Sequence, residues 1–599
     1  MDRNSAIGMV LIAALLMLYF YLSPSPTPQP PKVMDTTQVA PSQKSAEAEV
    51  TKVDSAVVKS YGNLGSYLNG TEETLAIENA DLRLQLSSHA ILKNVELKNF
   101  KTYSQQPLYL INNGNNSFAL RTQYEGQPVN LYQLFYQVDQ TKKADTTVVT
   151  FTAQLGGDTF LKHIYSIPAK GFEIGYKLQT KGVTFGGNNL SLQWQDPIAL
   201  QEKDLKDSRT KTTINYYFVN EKHDYLSETA DQAEQVLAEP VKWVTIKQKF
   251  FISGIIAQNS FSGGELKQQT NEANTQVVKN ASVELFVPMA DVQNNKANFT
   301  YYFGPNDYKI ISEVTPGFSK NLSLGWPPML WVNKFMVIPA FKFLESFIGN
   351  YGLIIVLLVL MVKLLLLPLS YSSYLGMAKM RLLKPETDAI KEKNGDNMAQ
   401  AQQDTMKLYK QVGVNPFSGC IPLLVQMPFL FALFYFFPIS IELRQKAFLW
   451  AEDLSTYDSI INLPFTVPFG FGSHVSLFVL LMTASTLIYT WQNNQMTGVT
   501  GPMKSMGYIM PIVFLFVLNS FAAGLSFYYF VSNLVTFAQQ AIIKRFVDED
   551  KIKAIMEENR KKAAASGGSG SKSKFMAKLE EAMKASEEAK KAAQAKKKK

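Results

Sequence analysis

Hydrophobic and polar positions fall into three successive patterns along the 599 residues. The first is a continuous apolar run from Ser5 to Leu22, followed by SPSPTPQPP and a stretch rich in Pro, Ser, Thr, Gln and Ala that reaches about Ser55. That run stands behind Arg3 and has no A-x-A site directly after it, so it predicts a retained membrane anchor over 1–22. The polar stretch has too few apolar residues to build a core, and 23–55 is expected to be a flexible linker. The second pattern extends from about Ala56 to Val314. Apolar and polar residues alternate there in short segments, such as FEIGYKL from Phe172, TINYYFV from Thr213 and VTIKQKFFI from Val244. Asn113-Gly-Asn-Asn, Gly156-Gly-Asp and Gly186-Gly-Asn-Asn punctuate them. Period-two alternation between turn signals predicts a large all-β sandwich domain over 56–315.

The third pattern is a series of long apolar runs. The most continuous is YGLIIVLLVLMVKLLLLPLSY, from Tyr351 to Tyr371, about as long as a bilayer crossing requires. Further runs cover 420–438, 475–491, 508–521 and 525–543. With the N-terminal run these predict a membrane α-helical bundle of six spans, the first being 1–22 and the second 350–371. Just before the second span, 326–348 places Lys334, Lys342 and Glu345 within about 80° of one another on a helix. Met329, Val332, Met336, Phe343 and Phe347 fall on the other side, which suits a helix lying in the membrane interface and kinked at Pro339. The polar stretch 372–417 reads as a helical hairpin. Its first helix covers Met377 to Lys393, and the second is capped by Asp396 and stopped by Gly413-Val-Asn-Pro. Long polar faces predict an exposed, mobile hairpin. Residues 439–474 are left as a loop.

Charge gives these segments an orientation. Ser372 to Phe417 holds seven Lys and Arg, whereas Pro438 to His474 holds two, with four acids. From Lys544 onward there are 17 basic and 9 acidic residues, a net +8 of the chain's +9. The positive-inside rule then puts the hairpin and the 547–599 tail in the cytoplasm. Six spans bring the N-terminus to the same side, and the β domain and the 439–474 loop to the other. Candidate chemistry is sparse. Cys420 is the sole cysteine, so there is no intrachain disulfide and no Cys cluster for zinc. His89, His163, His223 and His474 are scattered, and neither a G-x-S-x-G elbow nor a Gly-rich phosphate loop occurs. No cofactor or metal and no enzymatic step is expected.

Polar groups inside the spans carry the functional signal. Lys363 interrupts the second span, and a charge at that depth costs roughly 3 kcal/mol unless water or a partner meets it. It either faces a wet space inside the bundle or snorkels its stem to the far interface. Gln426 is the other large polar residue at depth. Thr483, Ser485, Thr486, Asn519, Ser532 and Asn533 are groove candidates that interhelical hydrogen bonds would equally explain.

Three stretches carry a family resemblance. NYGLIIVLLVLMVKLLLLPLSYSSYLGMAKMRLLKPE, NPFSGCIPLLVQMPFLFALFYFF and GLSFYYFVSNLVTFAQQAI resemble the second span with its hairpin, the third span and the last span of the YidC family of bacterial membrane protein insertases. The order of anchor, β domain and five-span core is similar too, over the whole chain. The resemblance implies a hydrophilic groove, open to cytoplasm and lipid, through which the polar segment of a nascent membrane protein passes while its apolar helix enters lipid. It implies an inner-membrane protein with a periplasmic β domain, working alone or beside the Sec translocon. Tyr528, Tyr529, Gln426 and Met427 match motif positions and are implied as groove or substrate contacts. Where most members have Arg this chain has Lys363, and where some have Thr one turn earlier it has Val359. The basic tail is expected to meet the ribosome or anionic lipid. Two rival classes remain. A secondary transporter predicts internal repeats and a midplane ion site, and a membrane-anchored periplasmic enzyme needs neither Lys363 nor Gln426.

Overall fold

The computed structural model describes residues 50–565, apart from 52, 113, 396, 416–420, 469 and 498–501. The expected anchor at 1–22, nearly all of the linker, Cys420 and the basic tail beyond 565 lie outside the described residues. The chain divides into two compact units. One takes the described residues up to Gly325 together with Phe434–Thr456, and the other takes Trp326–Leu433 and the described residues from Tyr457 onward.

The first unit is built from antiparallel sheets of nine, six and four strands. In the nine-stranded sheet Thr146–Gly156, Thr159–Pro168 and Glu173–Lys181 follow one another as neighbours, and Glu173–Lys181 then pairs with the distant Asn298–Pro305. The six-stranded sheet is centred on Phe185–Ala199, between Val277–Pro288 and Ser117–Tyr124. Alternation in sequence becomes alternation in burial. Along Thr159–Pro168 the residues Leu161, His163, Tyr165 and Ile167 are buried while those between are half exposed, because successive side chains of a strand point to opposite faces. Trp194, Tyr165, Phe151, Phe261 and Leu285 lie in the shared core.

Two sequence expectations change here. The segment from Val244 to Ile252 is two strands, Val241–Lys247 and Phe251–Phe261, with the Gln248 N–H closing the turn onto the Phe251 carbonyl at 2.8 Å. An apolar pair, Phe250-Phe251, hides that turn because both rings are buried. Gly186-Gly-Asn-Asn is a bulge within Phe185–Ala199, where the register against Ser117–Tyr124 slips between Gly186 and Ser191. Gly187, at φ +87°, supplies the backbone conformation such a bulge needs.

Phe434–Thr456, half of the expected 439–474 loop, folds into this β unit as a strap. Its Arg444 is buried, with Nε 2.8 Å from Glu202 Oε1 and a guanidinium N–H donating to the Lys101 carbonyl at 2.6 Å. The guanidinium also stands 5.0 Å from the Phe251 ring centroid. Gln445 donates to the Thr102 carbonyl at 2.9 Å, and Lys249 to the Ser455 carbonyl at 3.2 Å.

The second unit is helical. A stretch from Pro327 to Glu345 leads in, then α1 (Tyr351–Leu365), α2 (Leu367–Leu382), α3 (Lys384–Asn394), α4 (Met398–Gln411), α5 (Ile421–Phe436), α6 (Leu477–Thr497), α7 (Pro502–Leu518), α8 (Ala523–Phe546) and α9 (Glu549–Ala565). Among the described residues no single helix is long and apolar enough to cross a membrane, while α1 and α2 pass that test as a pair bent by 63°. The expected second span is therefore a broken helix, and its second half runs on into the hairpin. The leading stretch contains a π-helical turn at Asn333–Val337, one turn ahead of Pro339. Trp331, Phe335, Phe343 and Phe347 form its exposed stripe, whereas Met329 and Phe341 are buried. The apolar face expected from a regular 100° step is thus split, because the wide turn rotates everything after it.

The hairpin also differs from expectation. Asn397 caps α4, its side chain accepting from the Gln400 N–H at 3.2 Å, and the expected cap Asp396 lies outside the described residues. Its first limb breaks at Leu383, before Pro385. Rather than standing alone, it packs against α9. Met377, Met380, Leu408 and Val412 share a cluster with Ile552 and Met556. Arg560 forks onto both oxygens of Glu386 at 2.9 and 2.7 Å, and Arg381 pairs with Glu549.

Candidate functional site

Lys363 sits in the last turn of α1, at the break. Pro368 has no N–H to offer the Leu364 carbonyl four residues back, so the helix cannot run straight through. The ammonium is buried at 6% exposure and donates to Gln426 Oε1 on α5 at 3.1 Å and Thr536 Oγ1 on α8 at 2.9 Å. The Thr536 hydroxyl spends its own proton on the Ser532 carbonyl at 2.8 Å, which leaves its lone pairs for Lys363. Gln426 Nε2 reaches Ser532 Oγ at 3.4 Å. Gln539 Nε2 donates to the Lys363 carbonyl at 3.1 Å. Every one of these partners is neutral. Among the described residues no carboxylate pairs with Lys363, so its charge is oriented but not cancelled.

Around this cluster the surface is apolar and open. Leu364 and Leu365 on α1, and Leu424, Val425 and Met427 on α5, are all exposed. Tyr528 is fully buried and Tyr529 half buried. The remaining polar candidates divide. Asn533 donates to Ser485 Oγ at 2.9 Å and Thr486 Oγ1 at 3.0 Å, while both hydroxyls bond the Met482 carbonyl. That set joins α8 to α6 and stands apart from the Lys363 cluster. Thr483 Oγ1 is buried without a hydrogen-bond partner among the described residues. Asn519 is fully buried in a knot at the end of α7, its side chain bonding Ser476 N, the Phe471 carbonyl and the His474 carbonyl at 3.0, 2.8 and 2.7 Å. There it pins the hairpin Ile461–Val467/Gly472–Val475 instead of facing Lys363. Thr536 and Gln539 went unread in the sequence, although they follow Ser532 at i+4 and i+7 on one helix face.

Two family models match, "60Kd inner membrane protein" over residues 343–551 and "YidC periplasmic domain" over 74–338. A protein named membrane protein insertase YidC from Amoebophilus asiaticus is 43% identical over 98% of this chain and 99% of its own length. Its namesake from Cytophaga hutchinsonii is 43% identical over 98% of each, and that from Parabacteroides distasonis 35% identical over 98% of each. The chain belongs to the YidC family of membrane protein insertases. Its function is membrane protein insertion, acting on nascent membrane proteins without an enzymatic step. Members are inner-membrane proteins with a periplasmic domain, and the β unit is that domain. An active YidC insertase crystal structure aligns over 82% of this chain and 93% of its own at 18% identity and a TM-score of 0.33.

Proposed function

We propose that insertion runs through a hydrophilic groove whose charge is Lys363, lined by Gln426, Ser532 and Thr536 and lipped by Met427 and Leu424. The observation that carries this reading is an ammonium held by neutral partners alone. An acidic or polar segment of a substrate finds there a charge it can neutralise, at a depth where unpaired polar groups otherwise cost several kcal/mol each. The exposed apolar residues beside it give the substrate's hydrophobic helix a path into lipid. Tyr529 belongs to the same lining, and Tyr528 supports it from behind.

In this reading the chain crosses the membrane six times, with a five-span core and both termini in the cytoplasm. Lys and Arg density in the hairpin and tail supports that orientation. The Sec translocon, the ribosome and anionic lipid are the expected partners, the last two through the basic tail. Lys363→Arg should retain insertion of single-spanning substrates with acidic N-terminal tails, and Lys363→Met should lower it on the order of tenfold, the effect of about 1.4 kcal/mol. Equal insertion by the Met variant in reconstituted vesicles overturns the reading. Topology is tested with cysteines at Asn188, Leu449 and Ser566 in a Cys420→Ala background. An impermeant maleimide on spheroplasts should label the first two alone.

A further inference from the structure

We propose that Thr536 and Gln539 are positioning residues for Lys363, the first holding its ammonium and the second holding the bend of the helix that carries it. The proposal rests on the groove reading above and deepens it. A lysine has three freely rotating N–H donors on a flexible four-carbon stem, so a single neutral contact does not aim it. Here two contacts from different helices do. Gln426 approaches from α5 and Thr536 from α8. Thr536 is set as an acceptor because its proton is committed to the Ser532 carbonyl. The third N–H has no partner among the described residues and is the one left for a substrate oxygen.

Gln539 does a different job. The break between α1 and α2 frees backbone carbonyls that a straight helix would bond internally, and in lipid such groups require another donor. The Gln539 amide supplies one, to the carbonyl of Lys363 itself. The contact is with backbone, so it survives any change of the residue 363 side chain. The two residues therefore make opposite predictions. Thr536 should couple to the identity of residue 363, and Gln539 should not.

The test uses the full chain reconstituted in vesicles and two single-spanning substrates that differ only in an acidic or a neutral N-terminal tail. Thr536→Val should lower insertion of the acidic-tailed substrate on the order of fivefold, the size of effect expected for one ordinary hydrogen bond. The neutral-tailed substrate should be spared, and Thr536→Ser should restore the preference. In a Lys363→Met background Thr536→Val should add nothing. For Gln539→Leu, spin labels at the exposed positions Leu353 and Tyr371 span the bend. Their distance distribution, in Cys420→Ala, should broaden or shift, and do so equally with Lys or Met at 363. Equal losses on both substrates from Thr536→Val, or an additive loss with Lys363→Met, overturn the first half. An unchanged distance distribution overturns the second. If Lys363→Met impairs insertion while Thr536→Val and Thr536→Ser behave as wild type, positioning fails and the groove stands. If Lys363→Met is silent, both fall. Should Thr536→Val not accumulate, the tail preference of Thr536→Ser against Thr536→Ala decides the same question.

Discussion

The two units hold their buried cations in different ways. In the β unit three of the four buried cations among the described residues meet a carboxylate. Lys247 pairs with Glu228, Lys249 with Asp207 and Arg444 with Glu202, each at 2.8 Å, and Arg444 adds a carbonyl and two rings. Among the described residues of the helical unit the one buried cation, Lys363, has only neutral hydrogen-bond partners. A buried charge matched by a carboxylate ties the scaffold together and has little left to offer a ligand. An uncancelled charge at a helix break is costly to keep and stays available to a passing segment. The scaffold and the working site differ in how far their buried charges are cancelled.

The sharpest way to break this comparison is at the strap. Arg444→Met leaves Glu202 buried and unpaired, which should cost the β unit about 3–5 kcal/mol. Hydrogen exchange on the full chain should rise in Phe434–Thr456 and around Lys101–Ser104, and remain unchanged in α8. The contrasting change, Lys363→Met, should alter insertion without raising exchange in either unit. Removing residues 56–290 takes away Lys101, Glu202 and Lys249 together, so a deletion chain should show the strap exchanging freely even where insertion persists.

Protonation gives the next largest effect. Burial lowers His163 to about 3 and raises Asp196 to about 7. Between roughly pH 3 and 6.5 the unfolded chain protonates His163 while the folded chain does not, so this group's stabilisation falls as pH falls. Asp196 acts in the opposite direction. From about pH 4 to 7 the unfolded chain loses a proton that the folded chain keeps, so its contribution falls as pH rises. The two slopes offset each other over their common window. Asp196→Asn should therefore steepen acid destabilisation between pH 4 and 6.5, by at most about 1.4 kcal/mol per pH unit. A thermal-melt series of wild type and variant checks it, and parallel pH profiles would show that Asp196 is not the opposing group.

Smaller effects sharpen the helical side. Asn533→Ala removes the bridge to Ser485 and Thr486 and should cost about 0.6 kcal/mol, as interhelical hydrogen bonds in membranes typically do. It should leave tail preference unchanged, because this bridge stands apart from Lys363. Smallest is Arg560→Ala. Both members of its pair with Glu386 are nearly half exposed, so the loss should be below about 1 kcal/mol. Raised salt should mimic the change, with proteolytic clipping between α8 and α9 as the readout.

Sequence by itself determined what rests on local pattern. Alternation from Thr159 to Pro168 sets which side chains enter the β core, since the pleat has a period of two whatever the neighbours are. Long apolar runs and the family motifs around Lys363, Gln426 and Tyr528 are likewise local, and identified the family before any contact was known. The turn at Gln248 to Phe250 escaped because two phenylalanines prolong an apolar stretch through it, and the strap escaped because Arg444 and Glu202 are 242 positions apart. Asn519 and Ser532 look alike in an apolar run, yet one pins a hairpin and the other stands beside Lys363. Only the tertiary structure decided that, along with the 63° break after α1 and the roles open to Thr536 and Gln539. A helix period says which residues share a face. It cannot say which other helix that face will meet, because the partner is fixed by packing between segments more than a hundred residues apart.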